Sequence, residues 1–229
     1  MSITSAPAFR RRAGATAIIA LFCLLTASTL TEPTDSHAGR DQLRAAAAHP
    51  GAMQASAWLE ILASVLAPVV VIALMHIVRR RGVVLAHIGG TLGILGSAGG
   101  AMIGLHTLFI VALAENGGGT GNAVLTRLDH IASAIPVLFF ALPVALTLLA
   151  IANVLAGLAP RWVIPVAVLF ALADFAPVPG AEILQMALGL AAFGRIAYRI
   201  LRMTDAEWES GLPADAPRSP RPAAAPTVA

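Results

Sequence analysis

Six apolar stretches, joined by short polar or basic connections, constrain this chain more than any other feature. They cover residues 15–30, 58–78, 83–114, 131–158, 162–175 and 180–201. A helix needs about 20 apolar residues to cross a hydrocarbon core of about 30 Å. The second, third, fourth and sixth stretches satisfy this most clearly. Only 12% of the 229 residues are charged and 58% are hydrophobic, against about 25% charged in an ordinary soluble domain. A soluble core cannot cover that much apolar surface, whereas a bilayer can. The sequence therefore predicts an all-α, polytopic transmembrane bundle of about six helices in the plasma membrane. Its parts are a basic cytoplasmic N-terminus (1–14), the bundle (15–202) and a disordered, Pro- and Ala-rich cytoplasmic tail (203–229).

The arginines predict the threading. All basic residues other than histidine are Arg, and basic residues collect in short cytoplasmic loops. With the N-terminus inside and the segments alternating, twelve of the fifteen arginines fall on the cytoplasmic side. Arg40, Arg44 and Arg127 are left outside. Both termini are then cytoplasmic. Trp58 and Trp162 stand at segment starts, where aromatic belts form. The first segment, preceded by "FRRRAG", reads as a retained signal anchor in preference to a cleaved signal peptide, which would leave five helices. The small-x-small site at Ser36-His37-Ala38 lies far past the apolar run. A net charge of +3, with arginines in short runs beside apolar segments, excludes a nucleic-acid-binding domain. The single Cys23 excludes an intramolecular disulfide or a Cys-x-x-Cys site.

The third segment is too long. Its 32 residues would extend about 48 Å as a straight helix, so it must tilt, extend into water or break, most naturally within "GGTLGILGSAGG" (89–100). Gly89, Gly93, Ser97, Gly100 and Gly104 recur at spacings of four and three and share one face. Small residues there let a second helix approach until backbones touch. The zone has neither the lysine nor the spacing of a phosphate loop, and "LGSAGG" lacks an intramembrane protease pattern. Pro136 and Pro143 are expected to bend the fourth segment, Pro177 and Pro179 to end the fifth. The fifth and sixth form a tight hairpin, with a re-entrant pair as the rival. A short surface helix is expected in "RDQLRAAAAHPGAM", ended by Pro50-Gly51.

Ionisable residues at membrane depth are functional candidates. The threading gathers Glu60, His106, Glu115, Asp129, His130, Asp174 and Glu182 near the outer face, with Arg127 as the nearby cation for Asp174 or Asp129. His76 and His87 fall near the inner face and Asn153 toward it. Haem between His76 and His87 or between His106 and His130, or zinc on His106 and His130 with Asp129 or Glu182, is the minor alternative. No spacing supports either, and neither a cofactor nor a metal is assigned.

"RRRGVVLAHIGGTLGILG" (79–96) and the Pro-containing fourth segment resemble small multi-pass membrane proteins of unassigned activity from high-GC Gram-positive bacteria, over about residues 58–202. The resemblance implies a membrane bundle and no catalytic residues. The leading reading is a non-catalytic accessory or assembly component, with lipid and either a second copy or another membrane protein as partners. A small-solute or proton-coupled transporter using the outer cluster is the second reading. A haem or metal-dependent membrane enzyme is the third.

Overall fold

Ser5 opens the first helix: its Oγ accepts from the Ala8 amide, and Pro7 occupies the first turn, where a missing N–H costs nothing. The computed structural model describes residues 5–33, 39–79, 81–116, 135–173 and 180–211. Every regular element among them is helical. They are α1 (Ala6–Thr31), α2 (Gly39–Ala48), α3 (Pro50–His76), α4 (Val83–Asn116), α5 (Ile135–Leu155), α6 (Val163–Ala173), α7 (Ala181–Arg202) and α8 (Asp205–Ser210).

Local chemistry sets several boundaries. The α1 helix ends at Glu32, whose extended backbone suits the residue before Pro33. Pro50 does not separate α2 from a loop; it opens α3, which starts eight residues before the apolar run at Trp58. Pro136 likewise sits in the first turn of α5, while Pro143 and Pro68 lie inside helices. Such prolines are tolerated where neighbouring groups satisfy the freed carbonyl. Thr147 Oγ1, one turn after Pro143, donates to Pro143 O (2.9 Å) and also reaches Ala167 O on α6 (2.9 Å), which links the two helices.

Four helices, α1, α3, α4 and α7, are long and apolar enough to cross a membrane. The apolar parts of α5 and α6 are shorter. The six apolar helices close into a ring in which neighbours in space are α1–α3–α4–α5–α6–α7 and back to α1. Residue contacts show that neighbours run antiparallel. On α1 and α3, Gly14 lies against Ala73, and Ser28 Oγ donates to Ser56 O at the other end. On α3 and α4, Val71 faces Gly93 and Ile61 faces Gly104. On α4 and α5, Gly89 approaches Ala145 and Gly96 approaches Leu142.

The glycine zone of α4 does not break; α4 is continuous through all 34 residues. Its glycines serve two neighbours. Gly90, Gly93 and Gly104 meet α3, while Gly89 and Gly96 meet α5. Ser97 and Gly100 are also buried, and Ser97 Oγ donates to Ile94 O of its own helix. The surplus length of α4 is used at one end, where its last turns join α2 and the start of α3 in a small separate core of Ala46, Met53, Ile110 and Val111.

Elsewhere the ring interior is filled by rings. Phe22 of α1 stacks on Phe193 of α7 (centroids 5.2 Å apart), and Phe170 of α6 meets both edge-on. Large side chains also face outward: Val65 is 68% exposed, Ile72 59%, Leu105 58% and Leu172 58%. Large aliphatic side chains on the exterior as well as in the interior, where Ile18, Leu21, Leu74, Leu146 and Leu149 are fully buried, are consistent with a membrane protein.

Candidate functional site at the bundle ends

Of the eight residues assigned to the outer end, Arg127, Asp129, His130 and Asp174 lie outside the described residues. The other four sit on three helices. Glu115 is exposed in the last turn of α4. Glu60 is half-buried on α3, with Glu32 past the end of α1 as its charged neighbour. His106 is half-buried on α4, two residues beyond the contact of Gly104 with Ala57 and Ile61. That register puts His106 level with Trp58 and close to the level of Glu60. Glu182 is exposed in the first turn of α7, where a carboxylate suits the positive end of the helix. Glu60 and His106 thus stand on adjacent helices, whereas α7 packs on α1 and α6 rather than on α4. His106 forms a shallow apolar depression with Met102, Leu105 and Phe109, all on α4.

The histidines assigned to the inner face, His76 and His87, are engaged locally. The ring of His76 lies 4.7 Å from that of Trp208 and within 3.3 Å of the Arg79 guanidinium. His87 is exposed, with Nδ1 2.8 Å from Val83 O of its own helix. Among the described residues no three His, Cys, Asp or Glu side chains are grouped as a metal site.

The densest polar construction stands at the other end and was not foreseen. Residues 204–211, assigned by composition to the tail, fold into α8. Thr204 and Glu207 form a reciprocal capping box, which supplies two backbone amides with partners. Gly211 closes the helix at φ 65°, a conformation glycine adopts without penalty. Trp208 is buried against His76 and lies over Gly14. Asp205 accepts from Ser5 Oγ (2.7 Å) and lies 3.2 Å from Arg11 Nη2, while Glu207 takes Arg199 (3.4 Å). Thus α8 ties together the start of α1 and the ends of α3 and α7. The signal was present in the sequence: "TDAE" has the Thr-x-x-Glu spacing of a capping box, and a tryptophan follows it.

Asn153, fully buried on α5, donates through Nδ2 to Leu74 O of α3 (3.3 Å) and to Leu149 O (2.8 Å). It is a cross-bundle link with no outlet to solvent. No protein-family model, curated protein or solved structure matches the chain, so its residues alone carry the functional argument.

Proposed function

We propose that the chain is a six-span plasma-membrane protein with both ends cytoplasmic, acting as a non-catalytic accessory or assembly component. The observation that carries the membrane placement is the spacing of the two exposed tryptophans. Trp58 is level with His106 of α4. The Thr147–Ala167 and Gly82–Ala152 contacts put Trp162 level with Gly82 at the opposite end. The two levels are about 24 residues apart along α4, or about 36 Å. This lies between the hydrocarbon thickness of about 30 Å and the full bilayer of about 40–45 Å. The antiparallel ring also sends Arg79, Arg81, Arg161, Arg199 and Arg202 to one end, and Arg40 and Arg44 of α2 to the other. That supports the cytoplasmic assignment of the first group. The α1 helix supplies Ile18, Leu21 and Phe22 to the main core, which favours a retained anchor over a cleaved peptide.

The accessory reading is supported by how the interior polar groups are used. Ser28, Thr147 and Asn153 each donate to a backbone carbonyl of another helix, so they hold the bundle together. A transporter is the second reading, favoured by the common level of Glu60 and His106; Arg127, Asp129, His130, Asp174 and Glu182 would complete its outer cluster.

Reporter fusions after residues 48, 81 and 160 test the threading. The first is expected outside and the other two inside; the same side for 48 and 81 overturns it. Mild-detergent purification with mass spectrometry tests the role. Co-purification of a second protein or a second copy is expected. A partner-free monomer whose solute flux is abolished by Glu60→Gln or His106→Ala would establish the transporter instead.

A further inference from the structure

Five arginines of the inner end are engaged in two ways. Arg11 and Arg199 reach carboxylates of α8, and Arg79 folds back onto His76 O. Arg195 and Arg202 instead converge on the ring of Tyr198, with guanidinium carbons 5.6 and 5.4 Å from its centroid. Spacings of three and four put 195, 198 and 202 on one face of α7. This face points away from the bundle: Tyr198 is 51% exposed and Arg202 is exposed. A cation–π contact attracts each guanidinium but neutralises neither, so two like charges are drawn within about 11 Å of each other, the sum of the two ring distances. The same stripe continues toward the bundle centre as exposed Ala191, Ala187 and Leu184. The surface is therefore cationic at the membrane boundary and aliphatic along the membrane interior.

We propose that Arg195, Tyr198 and Arg202 form a binding site on the outward face of α7 for the phosphate headgroup of an anionic phospholipid of the inner leaflet. The leaflet assignment rests on the threading proposed above. Guanidinium groups donate paired hydrogen bonds to phosphate oxygens, and the tyrosine ring holds both side chains in place before the lipid arrives. The acyl chains lie along the aliphatic stripe. A free phosphate ion would satisfy the charge but leave that stripe unused, so the lipid is the occupant.

Tyr198 is the only tyrosine in the chain, so 3-fluorotyrosine labelling places a single fluorine resonance at the site. The full chain is compared in nanodiscs of phosphatidylcholine and in nanodiscs containing phosphatidylglycerol with the same acyl chains. A saturable shift with phosphatidylglycerol is expected, with retention of that lipid in native mass spectrometry. The double substitution Arg195→Gln/Arg202→Gln is expected to remove the shift and lower lipid retention about tenfold or more. Arg81→Gln/Arg161→Gln, which removes equal charge away from this face, is expected to preserve both. If the first double variant does not fold, Arg202→Gln at its exposed position carries the same test. Identical resonances in the two lipids, undiminished retention in the variant, or an equal shift from inorganic phosphate in phosphatidylcholine nanodiscs overturns the proposal. Nanodiscs present the lipid in both leaflets, so a failure of the threading shows only in the reporter fusions.

Discussion

The two halves of the helix ring are closed by opposite means. Where α4 meets α5, backbone rests on backbone through Gly89 and Gly96, and where it meets α3 its glycines seat the side chains of Met75, Val71 and Ile61. Where α1, α6 and α7 meet, aromatic rings fill the space between helices that stand further apart. In water either half would be held by the removal of apolar surface. In lipid that term is largely lost, because the tails are as apolar as the side chains, and close contact must supply the stability. The glycine half obtains it by removing side chains and the aromatic half by adding them. The first should therefore fail when atoms are inserted, the second when they are deleted.

The largest expected effect comes from Gly96→Leu. A Cβ built at Gly96 meets the backbone of Leu142, including its amide nitrogen and its Cα at 2.8 Å. Backbone cannot rotate aside, so α4 and α5 must separate. Overpacking costs about 1–3 kcal/mol where side chains can adjust, and here the cost should exceed that range. Folded bundle is expected to be lost, measured as monodisperse recovery in detergent. A Gly96→Leu protein with normal recovery would show that the α4–α5 seam is looser than the glycine contacts imply.

Next comes Phe193→Ala in the aromatic half. Phe193 is fully buried, with Phe22 stacked on it and Phe170 at its edge. Deletion leaves a cavity whose walls lose their contacts, and about 2–3 kcal/mol is expected from the cavity term. Trp208 is buried while Trp58 and Trp162 are exposed. Its fluorescence during denaturation in mixed micelles therefore gives a folding signal remote from the mutated site. An unchanged midpoint would mean that the rings merely occupy the interior without holding it.

How much of this was legible beforehand follows the range of the interaction concerned. Long apolar runs are a local property, and α4 and α7 coincide with theirs to within two residues, while α3 starts eight residues before its run. The overlength of α4 was equally visible. Its resolution was not, because it depends on Ile110 and Val111 meeting Met53 and Ala46, residues distant in sequence. The small-residue stripe could be read, but a sequence does not say that Gly93 turns to α3 while Gly96 turns to α5. At α8 two local signals compete: the Pro- and Ala-rich composition that follows residue 211 favours a disordered tail, whereas Thr204, Glu207 and Trp208 carry a helix signal, and the helix wins because Trp208 is buried against His76. The outer cluster depends on loops, and Arg127, Asp129, His130 and Asp174 fall outside the described residues.

A finer comparison lies within α4 itself. A Cβ at Gly90 meets only the Met75 side chain, including Sδ, and Cε at 2.7 Å, the end of a flexible thioether that can move. Replacing glycine with alanine also favours the helix by up to about 1 kcal/mol. Gly90→Ala is therefore expected to stay within about 1 kcal/mol of the parent, while Gly96→Ala loses about 1–3 kcal/mol. Equal losses at the two sites would mean that helix separation, rather than the nature of the neighbouring atom, controls tolerance along this helix.

The smallest effect is expected at the polar link between the halves of the comparison. Asn153 Nδ2 donates to Leu74 O across the bundle, but its Oδ1 has no hydrogen-bond partner among the described residues. One hydrogen bond is therefore formed between helices while one buried acceptor remains unmet. Interhelical hydrogen bonds in membranes average about 0.6 kcal/mol, and an unmet acceptor subtracts from that. Asn153→Leu, which removes both and nearly preserves volume, is expected to shift stability by less than about 1 kcal/mol in the Trp208 unfolding assay. A loss of several kcal/mol would show that Oδ1 has a partner after all, a bound water or a residue of a second protein. The polar interior would then belong to the functional surface of the protein rather than to its scaffold.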